Sequence, residues 1–406
     1  MSLNIRPILS SLLRNRTGAV LVALQIALAL AILVNATYIA KQRVDSINRP
    51  TGIDDPNLFV IESAGFTSRY DYASSVRDDL AYLRGLAGVV AAAPTNAVPL
   101  SGNGSGAPLY KTPGRKSSEA IDSFMYEMDE QGLQTLGVRV IAGRNFRKEE
   151  ILSPMTTENE TRPIPSILVS EDLAKALFAD GNAVGQIAYD PLGRPTTVIG
   201  VVSNLAGPWK SDRYGRRAFF VPQQPLISGF QYMARTQPGR RDEIMRIVEE
   251  HLSQSNPNRV IKAVHSEELY EQATFLNERI TAISLVIVTA LLLAVAALGI
   301  FGLATFNVST RTKQIGTRRA VGARKRDIIR QFLVENALIT TTGIVVGCAL
   351  ALGVGYQLSR QYNLPRLDLY YLVGGVILLW LLGQLAARQP AGRAAAISPS
   401  VATRTV

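Results

Sequence analysis

Four long apolar runs divide this chain into membrane-like and polar parts. They cover residues 18–40, 280–306, about 337–358 and about 370–387. An α-helix needs about 20 apolar residues to cross the ~30 Å hydrocarbon core of a bilayer; three runs meet this length and the fourth is just long enough. A cleaved signal peptide would have a shorter apolar core than the first run, which continues into KQRVDSINRP. The pattern therefore predicts four retained transmembrane helices.

The placement of Lys and Arg orients these helices. Residues 1–17, 307–334 and 388–406 hold fourteen of the 43 Lys/Arg residues but one of the 32 acidic residues. Short basic loops stay in the cytoplasm. We therefore expect a multi-pass membrane protein with both termini cytoplasmic and the segment between the first two helices exported. The formal charge of +11 then reflects the orientation of the helices in the membrane. It gives no support to nucleic-acid binding.

The predicted fold class is membrane α-helical, with four transmembrane helices and a large mixed α/β, two-lobed periplasmic domain inserted between helices one and two. The segments are a cytoplasmic N-terminus (1–17), helix one (18–40), the periplasmic domain (41–265), a stalk that continues into helix two (266–310), a cytoplasmic basic segment (311–334), helix three (335–358), a periplasmic loop (359–369), helix four (370–387) and a cytoplasmic tail (388–406).

The exported segment alternates strand-like and helix-like patterns. LFVIES and VVAAAP flank a helical pattern at 71–86, and QYMART and RVIKAV flank another at 240–254. Two strand–helix–strand units around an insert predict a split α/β domain. One lobe is formed by about 55–125 and 226–265, and the inserted lobe covers about 126–225. The inner face of the second helix is predicted to hold Ile244, Ile247, Val248 and Leu252.

Catalytic and metal-binding patterns are scarce. The two histidines, His251 and His265, lie in a helix pattern and at a strand end without metal-ligand spacing, and the single cysteine, Cys348, lies in an apolar run. No G-x-x-x-x-G-K-[ST], H-E-x-x-H or G-x-S-x-G motif occurs in the sequence. We therefore expect no metal site, no cofactor in this chain and no ATP hydrolysis by it, so that it is not an enzyme by itself.

The second and third apolar runs are joined by RTKQIGTRRAVGARKRDIIRQFLVEN, which carries eight Lys/Arg. This number exceeds what topology requires, and the basic residues are interleaved with apolar ones such as Ile315 and Val321. Gly322 and Ala323 predict a break between two short helices. Two interpretations are open. The segment is either an amphipathic helix that rests on anionic lipid headgroups or a docking helix that binds a cytoplasmic partner through an apolar ridge and arginines.

The helix pattern that leads into the second apolar run begins well before the membrane. No proline occurs from 266 to 310. A continuous helix of this length spans about 67 Å at ~1.5 Å per residue, roughly twice the bilayer core. Such a rigid rod would connect the exported domain to the basic segment as a lever.

Small residues recur at every fourth position of the predicted helix three. This spacing lets two helices approach closely, so it predicts helix packing within the subunit rather than a pore. The four positions are Gly343, Gly347, Ala351 and Gly355.

Several segments together resemble one family. RTKQIGTRRAVGARKRDIIRQFLVENALI resembles the signature segment of the MacB/FtsX-type ABC transporter permeases, R-T-x-x-I-G-x-R-R-A-x-G-A followed by a basic turn and an apolar helix. The tail PAGRAAAISPSVATR is similar to the family's closing pattern. LQTLGVRVIAGRNF, ILVSEDLAKALFADGNAVGQ and TTVIGVVSNL resemble, in order, the MacB-type periplasmic domain. Gly392 and the final Thr403-Arg404 depart from the family's pattern, which affects only the contacts of the tail.

The resemblance implies a mechanotransmitter in the bacterial inner membrane, with its exported domain in the periplasm. Such permeases work as dimers on a pair of ATPase subunits that bind ATP and Mg²⁺, and nucleotide-driven closure is relayed along helices one and two to the periplasmic domains. Seventeen residues precede helix one, so a separate ABC ATPase chain is expected, with a second copy of this permease or a homologous permease. The residues expected to couple to the ATPase are Gln314, Ile315, Gly316, Arg318, Arg319, Val321, Gly322 and Ala323.

Three functions are compatible with the resemblance. The first is export or efflux, with a periplasmic adaptor and an outer-membrane channel as further candidate partners besides membrane lipid. The second is lipoprotein extraction by a Lol-type permease, and the third is FtsX-like regulation of envelope enzymes. The exported domain of more than 200 residues favours export over an FtsX-like regulator, whereas the sequence does not separate export from lipoprotein extraction.

Overall fold

The computed structural model of the chain describes residues 16–114, 116–154, 162–210, 214–225, 230–362 and 367–398. The chain divides into two compact units. The first, which we call the α/β unit, is Arg49–Leu276. The second, which we call the helical unit, combines Met1–Asn48 with Asn277–Val406.

The secondary structure is mixed in the first unit and helical in the second. The α-helices are α1 (Arg16–Ile47), α2 (Tyr72–Gly85), α3 (Gly132–Leu136), α4 (Glu171–Leu177), α5 (Arg241–Ser255), α6 (Glu267–Thr310), α7 (Thr312–Ala320), α8 (Lys325–Tyr362) and α9 (Leu369–Ala396). The strands are β1 (Leu58–Gly65), β2 (Val89–Thr95), β3 (Ser105–Leu109), β4 (Ile121–Met128), β5 (Val140–Gly143), β6 (Ser166–Ser170), β7 (Ile187–Tyr189), β8 (Pro195–Val202), β9 (Ala218–Pro222), β10 (Phe230–Thr236) and β11 (Arg259–Ser266).

The first sheet of the α/β unit has the order β11-β1-β10-β2, and every neighbouring pair is antiparallel. Helices α2 and α5 pack their apolar residues against it. The prediction that Ile247 of α5 points inward is wrong, because its side chain is 40% exposed. Each residue turns a helix by about 100°. Ile247 therefore lies on the flank of α5, away from the buried stripe of Ile244, Val248 and Leu252.

The second sheet is mixed, with the order β3-β4-β9-β6-β8-β5 and with β7 paired to β8. Strand β4 runs parallel to β9, and β6 runs parallel to β8. The inserted lobe therefore begins earlier than the predicted residue 126, since β3 and most of β4 precede it. The pairing that places β4 in this sheet joins Phe124 to Ala218. Local hydrophobic patterning carries no signal for a partner so distant in sequence.

Among the described residues, four helices are long and apolar enough to cross a membrane: α1, α6, α8 and α9. Helix α6 is uninterrupted over 44 residues, as the absence of proline indicated. Helix α8 begins at Lys325, well before the predicted start of helix three at 335, and α9 continues past its predicted end at 387 to Ala396. Hydropathy identifies the apolar part of a helix that fits lipid. It does not detect the polar turns that extend the helix at its ends.

The small residues of α8 pack closely on α1. A Cβ atom added to Gly343 would lie 2.7 Å from the carbonyl oxygen of Ala23, and one added to Gly347 would lie 3.0 Å from the Cα of Ala27. Real Cβ atoms essentially never come as close as 2.7 Å to another heavy atom and rarely as close as 3.0 Å, so glycine at these two positions lets the two backbones meet. The contact lies inside one subunit.

A buried asparagine continues the same contact. The side-chain amide of Asn35 on α1 donates to the carbonyl oxygens of Ala31 and, on α8, Ala351, at 2.9 and 3.1 Å. Gly355 faces the same side chain. A polar group among apolar helices costs free energy unless it is hydrogen-bonded. Asn35 therefore fixes how α1 and α8 align along their lengths.

We expect Gly347→Leu to destabilise the helical unit by about 1–3 kcal/mol or more, because the larger side chain would push α8 away from α1. Gly353→Leu is the matched control on the same helix, since no atom lies within 4 Å of a Cβ added there. Thermal unfolding in detergent, followed by circular dichroism, would compare the two variants. Equal melting temperatures would contradict the packing role of the stripe.

Candidate functional site

The basic segment forms one short helix and the start of a long one. Helix α7 ends at Ala320, and α8 begins at Lys325. Gly322 has φ +103°, a backbone conformation that favours glycine, and its N–H donates to the carbonyl oxygen of Arg319. The predicted break at Gly322 and Ala323 is thus confirmed. The second helix, however, is not short, because it continues as α8 to Tyr362.

One side of α7 packs against its own chain. Ile315 is 5% exposed and Gly316 is also buried. The cluster around Ile315 contains residues from the first turns of α8 and the last turns of α9, namely Ile328, Phe332, Ala391, Ala394 and Ala395. Ile315 and Gly316 were predicted to contact a partner. Their burial gives them a packing role instead, in which they hold α7 in place beneath α8 and α9.

The other side of α7 and the following turn are open. Val321 is 85% exposed, and Gln314, Arg318 and Gly322 are exposed as well. Arg318 donates to the side-chain oxygen of Gln331 at 2.6 Å. The half-buried residues Arg319 and Ala323 border this face, and Arg319 donates to the carbonyl oxygen of Ile397. We call the exposed set Gln314, Arg318, Val321 and Gly322 the connector face.

An ion pair joins the end of α6 to α8. Arg311, directly after α6, lies 2.9 Å from a carboxylate oxygen of Glu335, which is 3% exposed. A buried carboxylate needs such a partner, because an unpaired charge away from water is costly. Sequence reasoning missed this pair. The available signal was a lone acidic residue at the start of an apolar run that follows eight basic residues.

At its other end α6 is tied to the α/β unit. Glu267 is fully buried beside Asp55, and burial raises the pKa of the Asp55 carboxyl. The Tyr270 hydroxyl donates to Glu62, and the Thr274 hydroxyl donates to the carbonyl oxygen of Leu100. The first ten residues of α6 are thus bonded to two separate parts of that unit, strand β1 and the loop after β2. None of these partners was singled out from the sequence.

The histidines have structural surroundings. His251 stacks on Tyr82 with ring centroids 3.7 Å apart. His265 is half-buried, and burial lowers the pKa of its imidazole. Within the described ranges, no group of three His, Cys, Asp or Glu side chains could hold a metal ion. The described residues offer a continuous helix that leads to the basic segment, and an exposed basic face on that segment.

Comparison with known proteins agrees with this arrangement. The family model described as MacB-like periplasmic core domain matches residues 19–264, and the one described as FtsX-like permease C-terminal matches residues 286–399. The uncharacterized ABC transporter permease YknZ of Bacillus subtilis is 24% identical over 298 residues, 71% of this chain and 72% of YknZ. The macrolide export ATP-binding/permease protein MacB of Campylobacter jejuni is 25% identical over 279 residues, 65% of this chain and 41% of MacB.

A solved structure is also similar. The periplasmic region of MacB from Actinobacillus actinomycetemcomitans superimposes with a TM-score of 0.35 and 15% identity, covering 56% of this chain and 97% of that one. The fold defines a multi-pass membrane protein with a mixed α/β domain between the first two of its four apolar helices. With both family models matched, the chain belongs to the MacB/FtsX-type ABC transporter permeases, as its motifs predicted. It spans about two fifths of the MacB protein quoted above.

Arg311→Met is expected to cost about 3–5 kcal/mol of stability, because it leaves Glu335 buried without a partner. The double variant Arg311→Met/Glu335→Leu should recover most of this loss, since it removes the stranded charge as well. Melting temperature and folded yield in detergent would measure both. If the double variant is no more stable than the single one, the pair is not the interaction that holds α6 to α8.

Proposed function

We propose that this chain is the permease subunit of an ABC transporter that works as a mechanotransmitter. A separate ATPase subunit binds and hydrolyses ATP, and this chain converts its closure into movement of the exported α/β unit, which drives export. We expect the permease to hydrolyse no ATP by the P-loop route, because its 406 residues contain no P-loop motif. The name of MacB describes macrolide export by a protein with an ATP-binding part; the substrate of this chain is a matter for experiment.

The observation that carries this proposal is helix α6. Its 44 residues correspond to about 66 Å at ~1.5 Å per residue, whereas the hydrocarbon core is ~30 Å thick. Its first ten residues belong to the α/β unit and the remainder to the helical unit. One residue, Arg311, separates its end from α7. One continuous helix thus begins in the exported domain and ends next to the basic segment.

The connector face supports an ATPase as the partner. It presents a large exposed apolar side chain, Val321, beside the cationic Arg318. An exposed apolar side chain next to a guanidinium group is complementary to an apolar groove that is bordered by acidic residues. Arg forms strong charge-assisted hydrogen bonds with carboxylates. Burial of Ile315 on the opposite side of α7 means that force applied to this face passes directly into α8 and α9. Dimerisation with a second permease copy would supply one connector face to each of two ATPase subunits.

Asn277→Pro tests the lever. Asn277 is exposed and lies on α6 before the apolar run, so proline there would remove one backbone hydrogen bond and kink the rod at a local cost of ~3 kcal/mol. Phe275 is a poorer site, because its side chain is buried and would be lost as well. We expect ATP hydrolysis by the assembled transporter to persist while transport falls at least tenfold, as measured on the same proteoliposomes.

Asn277→Ala is the control, since it changes the side chain and leaves the backbone hydrogen bond intact. It should retain both activities. Retention of both activities in the proline variant would mean that α6 is not the transmitter. Loss of both would show that the kink damages assembly, and a second proline at the exposed Gln272 would then repeat the test at a different turn of the rod.

Val321→Asp tests the connector face separately. Docking would bury an unpaired carboxylate at a cost of about 1–3 kcal/mol, which corresponds to roughly 5- to 150-fold weaker ATPase binding. Folding should be unaffected because Val321 is 85% exposed in the permease itself. Ile315→Asp should instead lower the yield of folded permease, since that side chain is buried in its own chain. Unchanged ATPase copurification and stimulation with Val321→Asp would contradict the assignment.

A further inference from the structure

A groove of about 360 Å³ lies between α8 and α9 in the helical unit. One wall is a single face of the first turns of α8, on which Arg326, Arg330 and Ala337 lie. The other wall includes Trp380 and Gln384 of α9. None of these residues belongs to the connector face, so the groove is a separate feature. Its volume falls within the ~300–1,000 Å³ range of small-molecule sites.

The polarity of the groove changes along its length. Arg326 and Arg330 lie at one end, and Leu333 and Ala337 continue the same face of α8 with apolar side chains. From Arg326 to Ala337 the helix rises about 16 Å at ~1.5 Å per residue. The cationic end of the groove therefore belongs to the basic segment. The apolar end of the groove extends into the part of α8 that fits lipid.

The two arginines have no partner in the part of the chain that the structure describes. Both are exposed, and neither forms a hydrogen bond or an ion pair with any residue that the structure describes. They follow the start of α8, where the helix dipole disfavours cations, and the first turn contains one acidic residue, Asp327. Helix stability therefore does not explain Arg326 and Arg330. Two free guanidinium groups at the mouth of an apolar groove are complementary to an anion with an apolar body.

An unsatisfied donor lies between the two ends. The side-chain nitrogen of Gln384 is buried and has no hydrogen-bond partner among the described residues. The bond from Asn336 to the carbonyl oxygen of Gly383 places Gln384 at the level of Asn336 on α8, beyond Arg330. A buried donor without an acceptor costs about 1–3 kcal/mol, so an oxygen atom supplied by a ligand would relieve this cost.

We propose that this groove binds an anionic phospholipid. Its phosphate would lie on Arg326 and Arg330, with which it can form bidentate hydrogen bonds. An ester oxygen of the glycerol would accept from Gln384, and an acyl chain would follow Leu333 to Trp380. Beyond Leu333, the order of cation, amide donor and apolar wall formed by Ala337 and Trp380 matches the order of phosphate, ester and acyl chain in a phospholipid. A protein segment would not require this order.

The fluorescence of Trp380 can report whether lipid occupies the groove. The chain contains two tryptophans, and the other, Trp209, packs against Phe124 and Tyr214 in the α/β unit. Trp209→Phe therefore leaves Trp380 as the sole indole. The full chain with this change would be reconstituted into phosphatidylcholine vesicles that contain increasing fractions of phosphatidylglycerol with brominated acyl chains. Bromine quenches tryptophan fluorescence on contact, and brominated phosphatidylcholine at the same fractions gives the reference for bulk lipid around α9.

We expect brominated phosphatidylglycerol to quench Trp380 at several-fold lower fractions than brominated phosphatidylcholine. Arg326→Gln/Arg330→Gln should raise the fraction needed for half-quenching by about fivefold for each arginine removed. Arg324→Gln/Lys325→Gln is the matched control. It removes the same charge from exposed neighbours that do not line the groove, and it should shift half-quenching much less.

Three results would overturn the proposal. Equal quenching by the two lipids at every fraction would show that the groove does not select anionic lipid. An equal shift in the control variant would attribute the preference to the general charge of the basic segment. No quenching by either lipid would show that protein covers the groove, whether the N-terminal segment of this chain, a second copy or the ATPase.

Discussion

The unbroken backbone hydrogen bonding of α6 is the constraint on which the rest of this structure depends. Inside a bilayer no water is available to the peptide groups, so a crossing segment satisfies them as a helix and cannot bend without loss. α6 keeps the same hydrogen bonding outside the apolar run, from Glu267 onwards. Its start is buried in the α/β unit and its end is paired through Arg311 to α8. The proposed lever therefore contains no break in its helical hydrogen bonding.

The basic segment contains more charge than topology requires, and the structure divides that charge among different tasks. Arg311 neutralises a buried carboxylate, and Arg319 binds a carbonyl oxygen after α9. Arg318 flanks the exposed Val321, whereas Arg326 and Arg330 line the groove between α8 and α9. The two interpretations of the segment, lipid contact and partner docking, are thus not exclusive. The two proposals use different faces, because a helix presents residues that are neighbours in sequence in different directions.

The proposed transmission of force requires that the helices behind the connector face are held together. α1 and α8 meet at van der Waals distance through Gly343 and Gly347, with Asn35 hydrogen-bonded across the contact. In lipid the hydrophobic effect does not drive helices together, so close packing and buried hydrogen bonds do this work. The cluster around Ile315 extends the same bundle to α7. The connector face is thereby backed by packed helices rather than by a loose loop.

The sequence by itself determined the features that depend on neighbours along the chain. Length and hydropathy identified the four apolar helices, the absence of proline indicated the continuous α6, Gly322 marked the turn after α7, and the four-residue spacing from Gly343 revealed a packing stripe. Only the tertiary structure decided which residues meet across elements. It assigned β4 to the second sheet through β9, buried Ile315 against α9, and paired Arg311 with Glu335. The physical reason is that helical and apolar preferences are local, whereas burial and charge pairing depend on groups that lie far apart in sequence.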